Sequence, residues 1–195
     1  MTGALPDSKG RIVSTPELLT EEEFLARHGA ETRIELIDGC VVRYEQISSY
    51  CGYVAANLSF EIAVAVRSDE LGRGFCNDTF VRIARNPDRV RAADLMFLSY
   101  ERLGRDEELE DGVLALVPEL VAEIKFPSDP WALLFGKVED YLTLGVTAVL
   151  VVDPESRTVL VLRRDQPQQT FAEADTLTVP DVLPGFAVPV ANLFA

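Results

Sequence analysis

The run Pro118-Glu-Leu-Val-Ala-Glu-Ile-Lys-Phe126 decides the fold. It is apolar enough for a strand buried between two layers, and Pro127-Ser128-Asp129-Pro130 closes it with residues that end strands. Strand side chains alternate faces, so Glu123 and Lys125 are expected to project together while Ile124 points into core. A second apolar run, Ala92-Ala93-Asp94-Leu95-Met96-Phe97, holds a carboxylate where one is out of place without a partner. Lone charges are costly to bury and are found paired or bound to a cation.

Around these two strands the pattern alternates between periods of two and of 3.6. Thr20-Glu21-Glu22-Glu23 is a capping box opening a short helix to about His28. Asp38-Gly39 sits between the alternating runs 33–37 and 40–43, the mark of a hairpin. From Ser48 to about Asp69, Val54, Leu58, Ile62, Ala65 and Val66 recur at helical spacing and predict the longest helix. Strands are expected at 74–84 and 90–99 around the turn Asn86-Pro87-Asp88, with a charged surface stretch over 101–111. Trp131 to Leu144 is amphipathic and stops at Gly145, and the runs 147–153 and 158–164 form another hairpin across Pro154-Glu155-Ser156-Arg157. The tail through Leu183-Pro184-Gly185-Phe186 reads as short edge elements. Strands bracketing helices in this order imply an α/β (α+β) domain, a mixed central sheet flanked by helices with an N-terminal β-hairpin. The expected division is an arm over residues 1–18 and a single domain over 19–195.

Composition narrows the function classes. Hydrophobic residues at 48% and charged residues at 26% describe a chain that buries a core. No uninterrupted apolar run reaches the roughly 18–20 residues of a membrane span, and Met1 to Pro16 lacks an apolar signal core, so the reading is a soluble, cytoplasmic protein without a membrane partner. Cys40, Cys51 and Cys76 are too few and irregular for a disulfide framework or a zinc site. A single histidine, His28, excludes His-rich metal sites, and without a histidine partner Ser48, Ser49 and Cys51 have nothing to activate a nucleophile. The net charge of −14 argues against non-specific binding of nucleic acid over the whole surface. It leaves room for a local basic groove, and Arg82, Arg85, Arg89 and Arg91 are the densest candidate for contacts to phosphate. Arg82 and Arg91 also fit the wet face of a hairpin, and Trp131 and Tyr141 fit helix packing as well as base stacking.

Two carboxylates brought together repel, and a hard cation such as Mg²⁺ resolves this with oxygen ligands. A lysine beside them suits stabilisation of charge on a phosphoryl group. Spacing alone is equally compatible with Asp94 ending a strand and Glu123–Lys125 forming an ion pair on an exposed edge.

Six motifs in order carry more than any one of them: Glu-Leu-Ile-Asp-Gly (35–39), Asp94 in its apolar run, Glu-Ile-Lys-Phe-Pro-Ser-Asp (123–129), Lys137 with Tyr141 and Gly145-Val146, Val-Val-Asp-Pro (151–154), and Leu-Pro-Gly-Phe (183–186). Together, from Leu19 to Phe194, they resemble the Uma family of restriction endonucleases in the PD-(D/E)xK nuclease superfamily. The resemblance implies a restriction endonuclease-like fold and a DNA endonuclease, commonly a homodimer, using Mg²⁺ or Mn²⁺. It implies Asp94, Glu123 and Glu35 as metal-binding acids, Lys125 as the superfamily lysine, Lys137 as a lysine from the following helix, and Asp129 as part of a supporting turn. Three departures accompany it: Ala93 stands where proline is usual, Lys125 is present where the family is often apolar, and no histidine follows Ser48-Ser49-Tyr50. The apolar tail is a candidate dimer surface, and a nuclease-fold binding module with an unused site is the alternative function.

Overall fold

The computed structural model describes residues 5–6, 12–13, 18–44, 48–109, 111–127 and 129–195. Two short paired strands, β1 (Leu5–Pro6) and β2 (Ile12–Val13), precede the domain. The rest of the expected arm, including Asp7, Lys9 and Arg11, lies outside the described residues, as does Ser128.

Helix α1 (Glu21–His28) starts with the expected capping box: Thr20 Oγ1 accepts the Glu23 N–H at 3.2 Å, and the Glu23 carboxylate accepts the Thr20 N–H at 3.0 Å. Strands β3 (Ile34–Ile37) and β4 (Cys40–Arg43) turn through Asp38 and Gly39, whose φ values of 51° and 78° suit the tight turn that Asp-Gly favours. Helix α2 (Ser49–Ser68) is capped by Ser48 and lays Val54, Leu58, Ile62 and Val66 on the sheet. By length and composition α2 is apolar enough to cross a membrane, although Asn57, Ser59, Glu61 and Arg67 interrupt its apolar run; its inner stripe is part of the core.

Strands β5 (Gly72–Ala84) and β6 (Arg89–Ser99) form a long antiparallel pair. Strand β7 (Leu120–Ile124), helix α3 (Trp131–Leu144) and strand β8 (Ala148–Asp153) make a parallel crossover, and Gly145 closes α3 at φ 107°, a conformation that a side chain would strain. Strands β9 (Thr158–Leu162), β10 (Gln169–Phe171), β11 (Thr176–Thr178) and β12 (Ala187–Pro189) lead to a 3-10 turn at Val190–Leu193. The main sheet runs β10-β9-β8-β7-β6-β3-β4, with β5 also on β6. It is mixed, since only β7 and β8 are parallel, and α2 and α3 cover it through separate apolar clusters.

The tail departs from expectation. Of the described strands β10, β11 and β12, only β10 joins the main sheet, at one edge; Leu183, Phe186, Leu193 and Phe194 are buried in the α2-side core. Asn57 of α2 donates to the Leu193 carbonyl at 3.2 Å, fixing the tail beneath the helix. Its apolar residues are spent on the chain's own core, so the tail does not offer the dimer surface expected of it.

One topological feature creates the site. On the side of β6 away from β5, Val90 pairs with Leu36 of β3, while Leu95, Met96 and Phe97 pair with β7. Two strands therefore share one edge of β6 and part from each other between these points. Asp94 lies in the gap, next to the last β7 pair.

Candidate active site

Where β3 and β7 part, backbone donors lose their ladder partners and must find others. Two acids supply them. Asp94 Oδ2 accepts the Ile124 N–H at 2.7 Å, and Glu35 Oε1 accepts the Ala92 N–H at 3.2 Å. The carboxylates thus complete the hydrogen bonding of the fork while lining its cleft together with Glu123 and Lys137. Lys137, one turn and a half into α3, reaches down to the sheet: its Nζ lies 2.9 Å from Glu35 Oε1 and 3.0 Å from Glu123 Oε2. Tyr141, four residues on and so on the same face of α3, donates to Glu123 Oε1 at 2.6 Å. Tyr44, just past β4, donates to Glu35 Oε2 at 2.6 Å.

Burial and proximity set the protonation of these groups. Burial pushes Glu123 up to about 7 although Lys137 opposes it, and the charges of Asp94 and Glu35 push the same way. Burial likewise raises Asp94, against the Ile124 N–H and Lys137. Glu35 ends below its ordinary value: its burial would raise it, but Lys137 and Arg91 outweigh that. Lys137 is held firmly protonated because Glu123 and Glu35 overcome the cost of its burial.

The donor set fits a hard cation bound at low protein coordination. Among the described residues no three His, Cys, Asp or Glu side chains form a ready-made metal cluster. Among the described residues, however, nothing donates to Asp94 Oδ1, and Asp94 lines the open cleft beside Glu123. Mg²⁺ commonly binds through one or two carboxylates, with water and phosphate completing its shell. The cleft is open to solvent, and its volume of about 40 Å³ leaves room for an ion or a few water molecules.

Comparison with known proteins agrees with this architecture. The family model Uma2, described as "Putative restriction endonuclease", matches residues 21–191. The chain belongs to the Uma2 family. No curated protein matches this Uma2 chain. A crystal structure of a putative nuclease belonging to DUF820 from Anabaena variabilis has the same fold, with a TM-score of 0.78 over 90% of this chain and 97% of that one, at 20% identity. The Uma2 chain therefore has the restriction endonuclease-like nuclease fold.

Not every residue singled out in the sequence of this Uma2 chain reaches the cleft. Asp94, Glu123, Glu35 and Lys137 line it, and Asp129 stands at its rim, accepting the Phe126 N–H at 3.3 Å. Lys125 does not line it. Strand β7 ends at Ile124, and the buried Lys125 Nζ sits 4.0 Å from Asp153, over the Trp131 ring. Lys125 keeps the face expected of it: its N–H continues the ladder to the Val152 carbonyl at 2.8 Å and its ammonium lies on the α3 side, as Glu123 does, but over Trp131 and short of the cleft.

The four arginines are not a free landing patch for phosphate. Arg82 pairs with Glu21, Arg85 with Glu21, Glu22 and Asp88, Arg89 with Asp38 and Asp140, and Arg91 with Glu35 and Asp140. Arg91 is instead an internal strut joining Glu35 to α3. Tyr44, Arg33 and Asp78 also line the cleft and went unread. The sequence places Tyr141 in a motif with Lys137, at i, i+4 spacing, and as a packing or stacking ring, but gives it no contact with Glu123.

Proposed function

We propose that this chain is a metal-dependent endonuclease hydrolysing phosphodiester bonds in DNA, with Mg²⁺ or Mn²⁺ as its ion. The convergence of Asp94, Glu123 and Lys137 at the fork of the sheet supports the reading. Asp94, with its open oxygen, and Glu123 would hold the ion, and Glu35 adds negative charge behind them. A bound divalent ion supplies Lewis-acid stabilisation of the phosphoryl group and activation of water. Lys137 is too firmly protonated to act as a base; it neutralises the buried acids and offers positive charge beside the reacting phosphate. The lysine role that the superfamily pattern gave to Lys125 falls to Lys137 in this reading, because Lys137 lines the cleft and Lys125 does not. Purified protein with Mg²⁺ or Mn²⁺ is expected to nick or cut plasmid DNA, and Asp94→Ala or Glu123→Ala to abolish it. Cleavage that survives both substitutions would sink the mechanism.

A second reading is a nuclease-fold binding module whose site is unused. The net charge of −14 and the neutralised arginines 82, 85, 89 and 91 favour it. Calorimetric titration with Mn²⁺ separates the two: no metal affinity and no metal-dependent cleavage would select the module.

A further inference from the structure

The cations of this acidic chain are almost all neutralised locally. Of its 18 lysines and arginines, Lys9 and Arg11 lie outside the described residues. Among the rest, only Arg33, Arg67 and Arg73 lack a described carboxylate within ion-pair distance. Arg67 and Arg73 border a separate groove between α2 and β5, and Arg73 donates to the backbone carbonyl of Glu107 at 2.9 Å. Arg33 is different: it lines the cleft that contains Asp94.

Its geometry is constrained from several sides. The guanidinium lies 4.6 Å from the centre of the Phe126 ring, and its Nε donates to the Tyr44 carbonyl at 3.2 Å. The two terminal nitrogens have no hydrogen-bond partner among the described residues. The backbone is held in an unusual conformation: Arg33 has φ 58°, and its N–H donates to Asp78 Oδ2 at 3.1 Å. Asp78 itself has φ 55° and sits in a β-bulge of β5, where the register with β6 shifts between Cys76 and Thr79. Two non-glycine residues in the left-handed region, bonded to each other beside a cleft, are a conformation that the surroundings must enforce. The result, among the described residues, is a held guanidinium with no paired carboxylate and both terminal nitrogens free.

We propose that Arg33 is the substrate-anchoring cation of the cleft, binding a non-bridging oxygen of the phosphodiester beside Asp94. The proposal rests on the nuclease reading for its ligand class. A guanidinium suits this work because its planar donors match phosphate oxygens, and here stacking on Phe126 and the bond to Tyr44 hold the plane before a ligand arrives. It also resolves how a chain of charge −14 receives a polyanion: one cation at the site is left unneutralised while the basic cluster at 82–91 is occupied by carboxylates.

The test uses the full chain as wild type, Arg33→Ala, Arg33→Lys and, as a remote control, Arg164→Ala. Anisotropy of a labelled DNA duplex is read across salt with Ca²⁺ in place of Mg²⁺, and cleavage is measured separately with Mg²⁺. Arg33→Ala is expected to weaken binding roughly 10-fold to 100-fold and to reduce the salt slope by about one. Arg33→Lys keeps a charge without the planar fork and should fall between, and Arg164→Ala should match wild type. Arg33→Lys also keeps an aliphatic stem on Phe126, so it reports on the charge if Arg33→Ala melts early. Wild-type binding that Arg33→Ala and Arg33→Lys leave unchanged overturns the proposal, whether or not the protein cleaves. Arg33-dependent binding without cleavage supports it while removing the nuclease reading. A wild type that neither binds nor cleaves DNA overturns both.

Discussion

Lys137 Nζ stands 3.0 Å from Glu123 Oε2 and 2.9 Å from Glu35 Oε1, one buried cation between two buried acids. Glu35 is fully buried and Glu123 nearly so, so neither can turn to water if the lysine is lost. Breaking a buried pair by removing one partner typically costs about 3–5 kcal/mol, because the remaining charge stays desolvated. Lys137→Met is therefore expected to lower the stability measured by urea unfolding by about 3 kcal/mol or more, and to remove DNA cleavage. Lys125→Met, tested alongside, should keep substantial cleavage, since Lys125 faces Asp153 and Trp131 instead of the cleft. Loss of activity confined to Lys125→Met would return the lysine role to that residue.

Glu123 carries a pH dependence of definite sign. Its carboxyl is raised from 4.5 to about 7, so the folded chain holds this proton more tightly than the unfolded chain does. In the metal-free protein the corresponding contribution to stability is complete below pH 4.5 and lost as pH rises to about 7. A divalent ion competes with the same proton, so Mn²⁺ affinity should climb through neutral pH and level off above about 7. Calorimetry at pH 6, 7 and 8 checks this. Affinity that is flat over that range would mean that Glu123 is not a ligand.

Tyr141 permits a finer probe of the same acid. Its hydroxyl donates to Glu123 Oε1 and favours the charged carboxylate, so Tyr141→Phe should move the midpoint of the metal-binding pH profile upward. The cost in stability should be only about 1–2 kcal/mol, the size of one hydrogen bond to a charged group, because the ring that fills the core remains. A purely structural tyrosine would change the unfolding midpoint without moving the profile.

What could be read in the sequence followed the range of each interaction. The capping box at Thr20–Glu23 and the turn at Asp38-Gly39 are local, and both formed as their residues dictate. Asp94 and Glu123 were visible because a carboxylate inside an apolar run demands a partner. Arg91 was misread because its partners, Glu35 and Asp140, lie 56 and 49 residues away, and nothing in the local spacing brings them to it. The burial of the tail escapes the local pattern for the same reason: Leu193 meets Asn57 across 136 residues. Lys125 keeps the face that alternation gives it, but its ammonium goes to Asp153 and Trp131 and not into the cleft, a choice of partner that alternation does not fix. Arg33 and Asp78 depend on left-handed backbone at ordinary residues, which sequence patterns do not announce.

The double role of Asp94 can be separated by choice of substitution. Its Oδ2 satisfies the Ile124 N–H where β6 and β7 begin to part, while the residue also lines the cleft. Asn at this position still offers a carbonyl oxygen to that N–H but carries no charge. Asp94→Asn is therefore expected to fold with near wild-type stability, to lose Mn²⁺ binding and to lose DNA cleavage. Asp94→Ala removes the acceptor as well, leaving a buried backbone donor unsatisfied, and should unfold about 1–3 kcal/mol more easily than Asp94→Asn. Parallel urea titrations and calorimetry on the two variants read both effects. If the two unfold alike, the bond to Ile124 contributes nothing to holding the fork. If Asp94→Asn still binds Mn²⁺ at wild-type affinity, the ion is held elsewhere.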